Sequence, residues 1–196
     1  MRHTCILVST KLTGRTPEGH TTTMGSCGPC NKPKCSWCVL INKTSTFTGT
    51  WRVDKVFDIF HTVNCQSTFV IYIIQCRIYR LQYVGKSKTA FNLRLNNHRN
   101  HNKRGVNSCE LSEHFPHNSR SHDFSKDVTI TITEQIKPSN MTIERKKEVP
   151  RAREIFWQSR LNTLQPNGAC KRSIPFAQAK QNTQGTSSYS GVVGEM

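Results

Sequence analysis

Residues 68–76 read Thr-Phe-Val-Ile-Tyr-Ile-Ile-Gln-Cys, a continuous run of β-branched and aromatic side chains. Such a run reads as a strand covered on both faces, since a strand with one wet face would alternate. The chain must therefore place other elements on both sides of it. Leu81-Gln82-Tyr83-Val84-Gly85 follows closely enough to return as the second arm of a hairpin. The period then changes. Ser87 is placed to cap a helix in which Phe91 and Leu95 are four apart, with Arg94 and His98 on the same face. The polar run Asn96–Arg104 ends that helix in a basic loop, and Gly105 stops it. Val128–Thr133 alternates strictly and predicts a half-buried strand. Residues 141–164 are helical in pattern, with Pro150 breaking them or opening a final helix that Pro166-Asn167-Gly168 ends.

The expected organisation is a loosely ordered segment over 1–26, a Cys-rich lead-in over 27–66 with one short strand or helix, a folded domain over 67–170, and a flexible polar tail over 171–196. Charge narrows the partner. Lys plus Arg number 28 against 12 Asp plus Glu, a formal net charge of +16. That excess favours phosphate backbones through counterion release, whatever the base sequence. A merely soluble cationic surface, or attraction to anionic lipid, would have the same charge. The longest apolar run, Phe69–Ile74, is far too short to span a bilayer, and Ile6-Leu7-Val8 is too short for a signal peptide. An intracellular, nuclear location without membrane or small-molecule substrate is expected.

Four of the nine cysteines form Cys27-x2-Cys30-x4-Cys35-x2-Cys38. Clustered thiols in a reducing compartment point to metal rather than disulfides, and four thiolates suit a closed tetrahedral zinc site. The pairs lie closer than in an ordinary zinc ribbon. A set drawing on Cys65, Cys76 or His61, an iron–sulfur cluster, or unligated thiols are the alternatives. Lys32, Lys34 and Trp37 would be placed to press on nucleic acid.

The ordered set Val70-Ile71-Tyr72, then Tyr83-Val84-Gly85, Arg94 and the closing segment Arg153-Glu154-Ile155-Phe156-Trp157 resembles the GIY-YIG endonuclease superfamily over roughly residues 68–170. Within it, the set is most similar to the nuclease domains of Penelope-like retroelements. The resemblance implies an α+β domain, a small three-stranded antiparallel sheet flanked by helices, preceded here by the Cys-rich zinc-binding segment. It implies hydrolysis of DNA phosphodiester bonds, a nicking activity, with one Mg2+ or Mn2+ ion. By position, Tyr72 and Tyr83 match the motif tyrosines, one of which helps deprotonate or orient the attacking water. Arg94 matches the arginine that meets the scissile phosphate, Glu154 the metal carboxylate, and Gly85 the glycine of the tight turn. His114 and His122 resemble positions often occupied by histidine in these relatives. Two positions depart from the pattern. Val70 stands where the first motif has glycine, and Cys170 stands where the closing motif has asparagine, an amide that a weak sulfur donor does not replace.

The residue chemistry runs parallel. A hard cation needs only one or two protein carboxylates. Arg offers a planar fork to phosphate. A tyrosine serves as general base only if neighbouring cations lower its pKa. His98 would contact phosphate or act as an auxiliary acid, with a solvated position as the bland reading. Lys86, Lys88, Arg99, Lys103 and Arg104 are the expected DNA contacts. Tyr72 and Tyr83 as ordinary core, Arg94 as a solvated cation and Glu154 in a salt bridge with a nearby Arg are the dull readings. A catalytically inactive, basic DNA-binding protein is the alternative function.

Overall fold

The computed structural model describes residues 24–106, 110–115 and 122–171. Most of the expected loose N-terminal segment and nearly all of the polar tail lie outside these residues. Eight elements follow in order: β1 Thr46–Gly49, β2 Arg52–Asp58, β3 Val70–Cys76, β4 Gln82–Ser87, α1 Phe91–Lys103, α2 Glu110–His114, β5 Val128–Gln135 and α3 Arg145–Arg160. β1 and β2 form an antiparallel pair, and the main sheet runs β4-β3-β5, antiparallel throughout. The expected class, a three-stranded sheet with flanking helices after a Cys-rich segment, is what the chain forms.

β3 is the central strand, and all its residues but Gln75 are buried. Its apolar run has no wet face because α1 covers the side that carries Tyr72, while α3 packs on β4 and β3. Tyr72 lies opposite Gly85 and Ile132, and Ile74 lies opposite Tyr83 and Ile130. The side-chain period of two therefore puts Tyr72, Tyr83 and Gly85 on one face. A bulge between Ile71 and Tyr72 then leaves Glu134 opposite Ile71. The extra residue, Thr133, turns its hydroxyl to the Ile71 carbonyl at 3.1 Å.

Several local expectations change. The lead-in holds two strands rather than one element, because Thr50-Trp51 lets the chain reverse between apolar-bearing arms. Ser87 ends β4 and bonds the Thr89 carbonyl at 2.9 Å, so it does not cap α1; the N-cap is Ala90, without a side-chain cap. β5 is more than half-buried, since Leu40–Asn42 runs along its outer edge: the Ile130 amide donates to the Leu40 carbonyl at 2.9 Å and the Asn42 amide to the Ile130 carbonyl at 2.8 Å. Pro150 neither breaks nor opens the last helix. It lies inside α3, buried, at the sixth position, where the helix continues without the amide bond that proline cannot make. Gly105, at φ 63°, follows α1 as the expected stop.

Candidate functional site

The sheet face beneath α1 gathers four of the five residues singled out for catalysis. The Tyr72 hydroxyl lies 2.8 Å from His98 Nε2, and Arg94 Nε donates to the same hydroxyl oxygen at 3.2 Å. Tyr72 thus bridges Arg94 and His98, and a neutral imidazole with its proton on Nδ1 can accept the Tyr72 hydrogen at Nε2. The tyrosine rings are 6.3 Å apart. What lets them approach is Gly85: a Cβ there would lie 2.7 Å from Tyr72 Cζ and Oη and from Tyr83 Cε1. The glycine lies within β4 rather than in the expected tight turn, and it serves the close packing of two rings.

Burial sets the electrostatics. His98 is only 3% exposed. Its pKa is lowered to about 3, first by desolvation and then by the positive charge of Arg94. It is thus neither a solvated helix residue nor, at neutral pH, a charged acid. Tyr83 is held well above its ordinary value by burial, then by Tyr72 and by the charge of Glu154; Arg94 opposes this without overcoming it. The condition for Tyr83 to act as a base, a pKa lowered by neighbouring cations, is not met by the protein's own groups.

Glu154 projects from α3 and is ion-paired with Lys86 of β4. The expected partner type was arginine; Lys86 reaches the carboxylate because β4 is the strand that α3 packs on. A single carboxylate, near enough to influence Tyr83, meets the minimum donor set for a hard divalent ion, provided Lys86 gives way. α3 is anchored elsewhere by Glu134. This carboxylate accepts from Arg153 Nε at 2.9 Å and from Trp157 Nε1 at 2.7 Å. Sequence patterning gave Glu134 no role, and a charged residue closing an alternating strand was its only signal.

Cys170 is the residue that departs from the asparagine of the resembled pattern. Its buried sulfur accepts from the Val84 amide at 3.2 Å and faces the Val84 carbonyl at 3.7 Å. Burial raises this thiol to about 11, so it remains protonated and can serve both groups. Cysteine thus makes, weakly, the pair of backbone contacts that one amide could make.

Among the described residues, two groups of potential metal ligands lie outside this face. In the first, the thiols of Cys30, Cys35, Cys38 and Cys65 all fall within 4.8 Å of one another. Cys30 Sγ is 3.6 Å from Cys38 Sγ, which is 3.8 Å from Cys65 Sγ. Four sulfurs about 2.3 Å from a tetrahedral zinc ion stand about 3.8 Å apart, so the spacing fits that ion. Cys27 is not in this group. Its buried sulfur instead accepts the Ile132 amide at 3.3 Å, where Cys27 is tied beside Thr44 and Val63, and Cys65 takes the fourth corner. The Lys32 backbone amide draws Cys30 down to about 7, while burial pushes Cys35 and Cys65 up. The second group is Cys76, His114 and His122. His114 Nε2 is buried without a hydrogen-bond partner, as a metal ligand would be. Burial and His122 lower His114 to about 4, which keeps it neutral.

The expected DNA-contact residues divide. Lys88, Lys103 and Arg104 are exposed. Lys86 is committed to Glu154, and Arg99 sits 5.0 Å over the Trp37 ring. Lys32 and Lys34 are exposed, but Trp37 is 3% exposed and donates to Asn96 at 2.9 Å, so its ring is unavailable for stacking on bases. No described helix is long and apolar enough to cross a membrane. Comparison with models of known protein families, with curated proteins and with solved structures finds no match.

Proposed function

We propose that this protein is a divalent-metal-dependent DNA endonuclease of GIY-YIG type, derived from a retroelement and active in the nucleus, with zinc-stabilised structure around the nuclease domain. The observation that carries the reading is the convergence of Tyr72, Tyr83, Arg94 and His98 over Gly85, where a side chain would collide with both tyrosines. An ordinary core has no need of a guanidinium held against a buried phenol. In this reading Arg94, its Nε fixed by Tyr72 before substrate arrives, meets the scissile phosphate and stabilises charge that develops there. Tyr72, between Arg94 and neutral His98, holds the guanidinium in place through its hydroxyl. Tyr83 closes the opposite side. Glu154, released from Lys86, would hold Mg2+ or Mn2+, which when bound supplies a Lewis acid for the phosphate. Lys86 is then free to pair with DNA, as Lys88, Lys103 and Arg104 do along and beyond α1.

Zinc is assigned to Cys30, Cys35, Cys38 and Cys65, and to Cys76 with His114 and His122. The test is relaxation of supercoiled plasmid by the purified chain with Mg2+, beside an EDTA control and the variants Glu154→Ala and Arg94→Ala. Product that requires metal and falls by about a hundredfold or more in each variant is expected. A catalytically inactive DNA-binding protein is the second reading, favoured by the Lys86–Glu154 pair and by sulfur at Cys170. It predicts a salt-sensitive gel shift with the plasmid left intact.

A further inference from the structure

α1 carries Arg94 and His98, and Phe91 buries its first turn, yet the helix has no cap of its own for its first amides. Its N-cap is Ala90, with no side-chain cap, and its first turn has no acidic residue. A helix start leaves several amides without intrahelical partners, and these need acceptors from elsewhere. Here the Phe91 amide donates to the Ser67 carbonyl at 3.0 Å and the Asn92 amide to the Cys65 carbonyl at 2.7 Å. Cys65 is also a corner of the four-thiol group. A second tie runs from the same module. Trp37, between Cys35 and Cys38, donates its indole hydrogen to Asn96, and Arg99 lies over its ring. The module therefore grips α1 at its start and along its side, bracketing Arg94.

We propose that the metal-closed cysteine module is the external cap of α1, and that Cys65, Ser67 and Trp37 are positioning residues that hold Arg94 over Tyr72. The link rests on the zinc assignment above, but not on hydrolysis. Closing four thiols on one ion fixes the backbone at Cys65, since that residue is separated from the other three by the whole β1–β2 hairpin. Its carbonyl, and that of Ser67 two residues on, then stand ready for the helix. With the ion withdrawn, nothing covalent keeps the Cys65 loop beside Cys38, and the first-turn amides lose fixed acceptors.

The test measures backbone amide exchange in the full chain loaded with Zn2+, in the same chain after a chelator has removed it, and in Cys65→Ser and Cys65→His. Amides of residues 91–95 are compared with those of β3 as an internal reference. Removal of zinc, or Cys65→Ser, is expected to speed exchange at 91–95 by about tenfold, the scale of a lost cap, with β3 unchanged. Cys65→His keeps a zinc ligand and is expected to keep exchange slow. Plasmid nicking at saturating DNA is expected to fall with the first-turn protection, while DNA affinity changes by less than about threefold. Should Cys65→Ser fail to fold, the chelated chain gives the same reading. Unchanged exchange after zinc loss overturns the proposal, as does equal acceleration in β3, which would make the module a support for the whole fold. If no form nicks plasmid but exchange still follows zinc, the coupling stands and the hydrolytic reading falls.

Discussion

The two long helices flank the same sheet and are held by different means. α3 is pinned by its own side chains: Arg153 and Trp157 converge on Glu134, and the Trp157 ring packs 5.0 Å from Phe47 and 5.3 Å from Phe57. α1 buries Phe91, Leu95 and His98, but its start is held by carbonyls of Cys65 and Ser67. A helix secured by side chains carries its placement in its own sequence. A helix secured by another segment's backbone has its placement set from outside. Each carries one half of the candidate site, Arg94 on α1 and Glu154 on α3.

Trp157→Ala would break the side-chain-held helix most severely. It removes a buried ring and leaves Glu134 short of one donor, with an expected loss of about 3–5 kcal/mol in urea denaturation. A loss below about 1 kcal/mol would mean that α3 is held by something other than this cluster. The next effect is on α1 and concerns pH. His98 has its folded pKa depressed to about 3 from an ordinary 6.5. Between these values the unfolded chain binds the proton and the folded chain does not, so stability falls as pH drops through 6.5 and continues falling toward 3. The slope from this group is at most about 1.4 kcal/mol per pH unit. Comparing denaturation of the wild type and His98→Gln over pH 7 to 4.5 checks it, and the variant should have the shallower slope. The smallest effect sharpens the contrast. Ala90→Asp gives α1 a cap of its own. In the zinc-loaded chain it should change stability by less than about 0.5 kcal/mol, because the amides already have acceptors. After chelation it should stabilise by about 1 kcal/mol. Equal gains in both states would show that the external carbonyls do not cap the helix.

Much of the architecture was legible because it is written locally. The apolar run at 68–76 and the Phe91–Leu95 spacing each report a period that packing preserves, and the alternation at 128–133 reports a strand though not the burial of its second face. The ordered tyrosines, arginine and glutamate could likewise be found by position. What could not be found depends on chain paths. A set drawing on Cys65 was among the sequence's alternatives, but that Cys65 replaces Cys27 was not decided by spacing, because Cys27 is drawn beside β5, a pairing with no local signature. Trp37 looked like a surface aromatic among lysines, yet it is the contact that seats the module on α1. Pro150 was read as a boundary because a proline's missing amide is visible in sequence and the buried seat that keeps it within a helix is not. The pairing of Glu154 with Lys86, and the protonation of His98 and Tyr83, follow from burial that residue spacing does not report.

β3 takes its two neighbours from very different distances along the chain. β4 follows after a short turn, and Tyr72 meets His98 across a separation of 26 residues. β5 arrives only after α1, α2 and the intervening segments. During synthesis, the tyrosines, Gly85, Arg94 and His98 therefore emerge together, as a hairpin and helix able to find one another quickly. A two-stranded hairpin is marginal in water, however, and one edge of β3 stays open until β5 docks. Glu154 emerges later still. The half of the candidate site that carries the tyrosines, Arg94 and His98 is laid down first, and the Glu154 carboxylate comes only when nearly the whole described chain has been made.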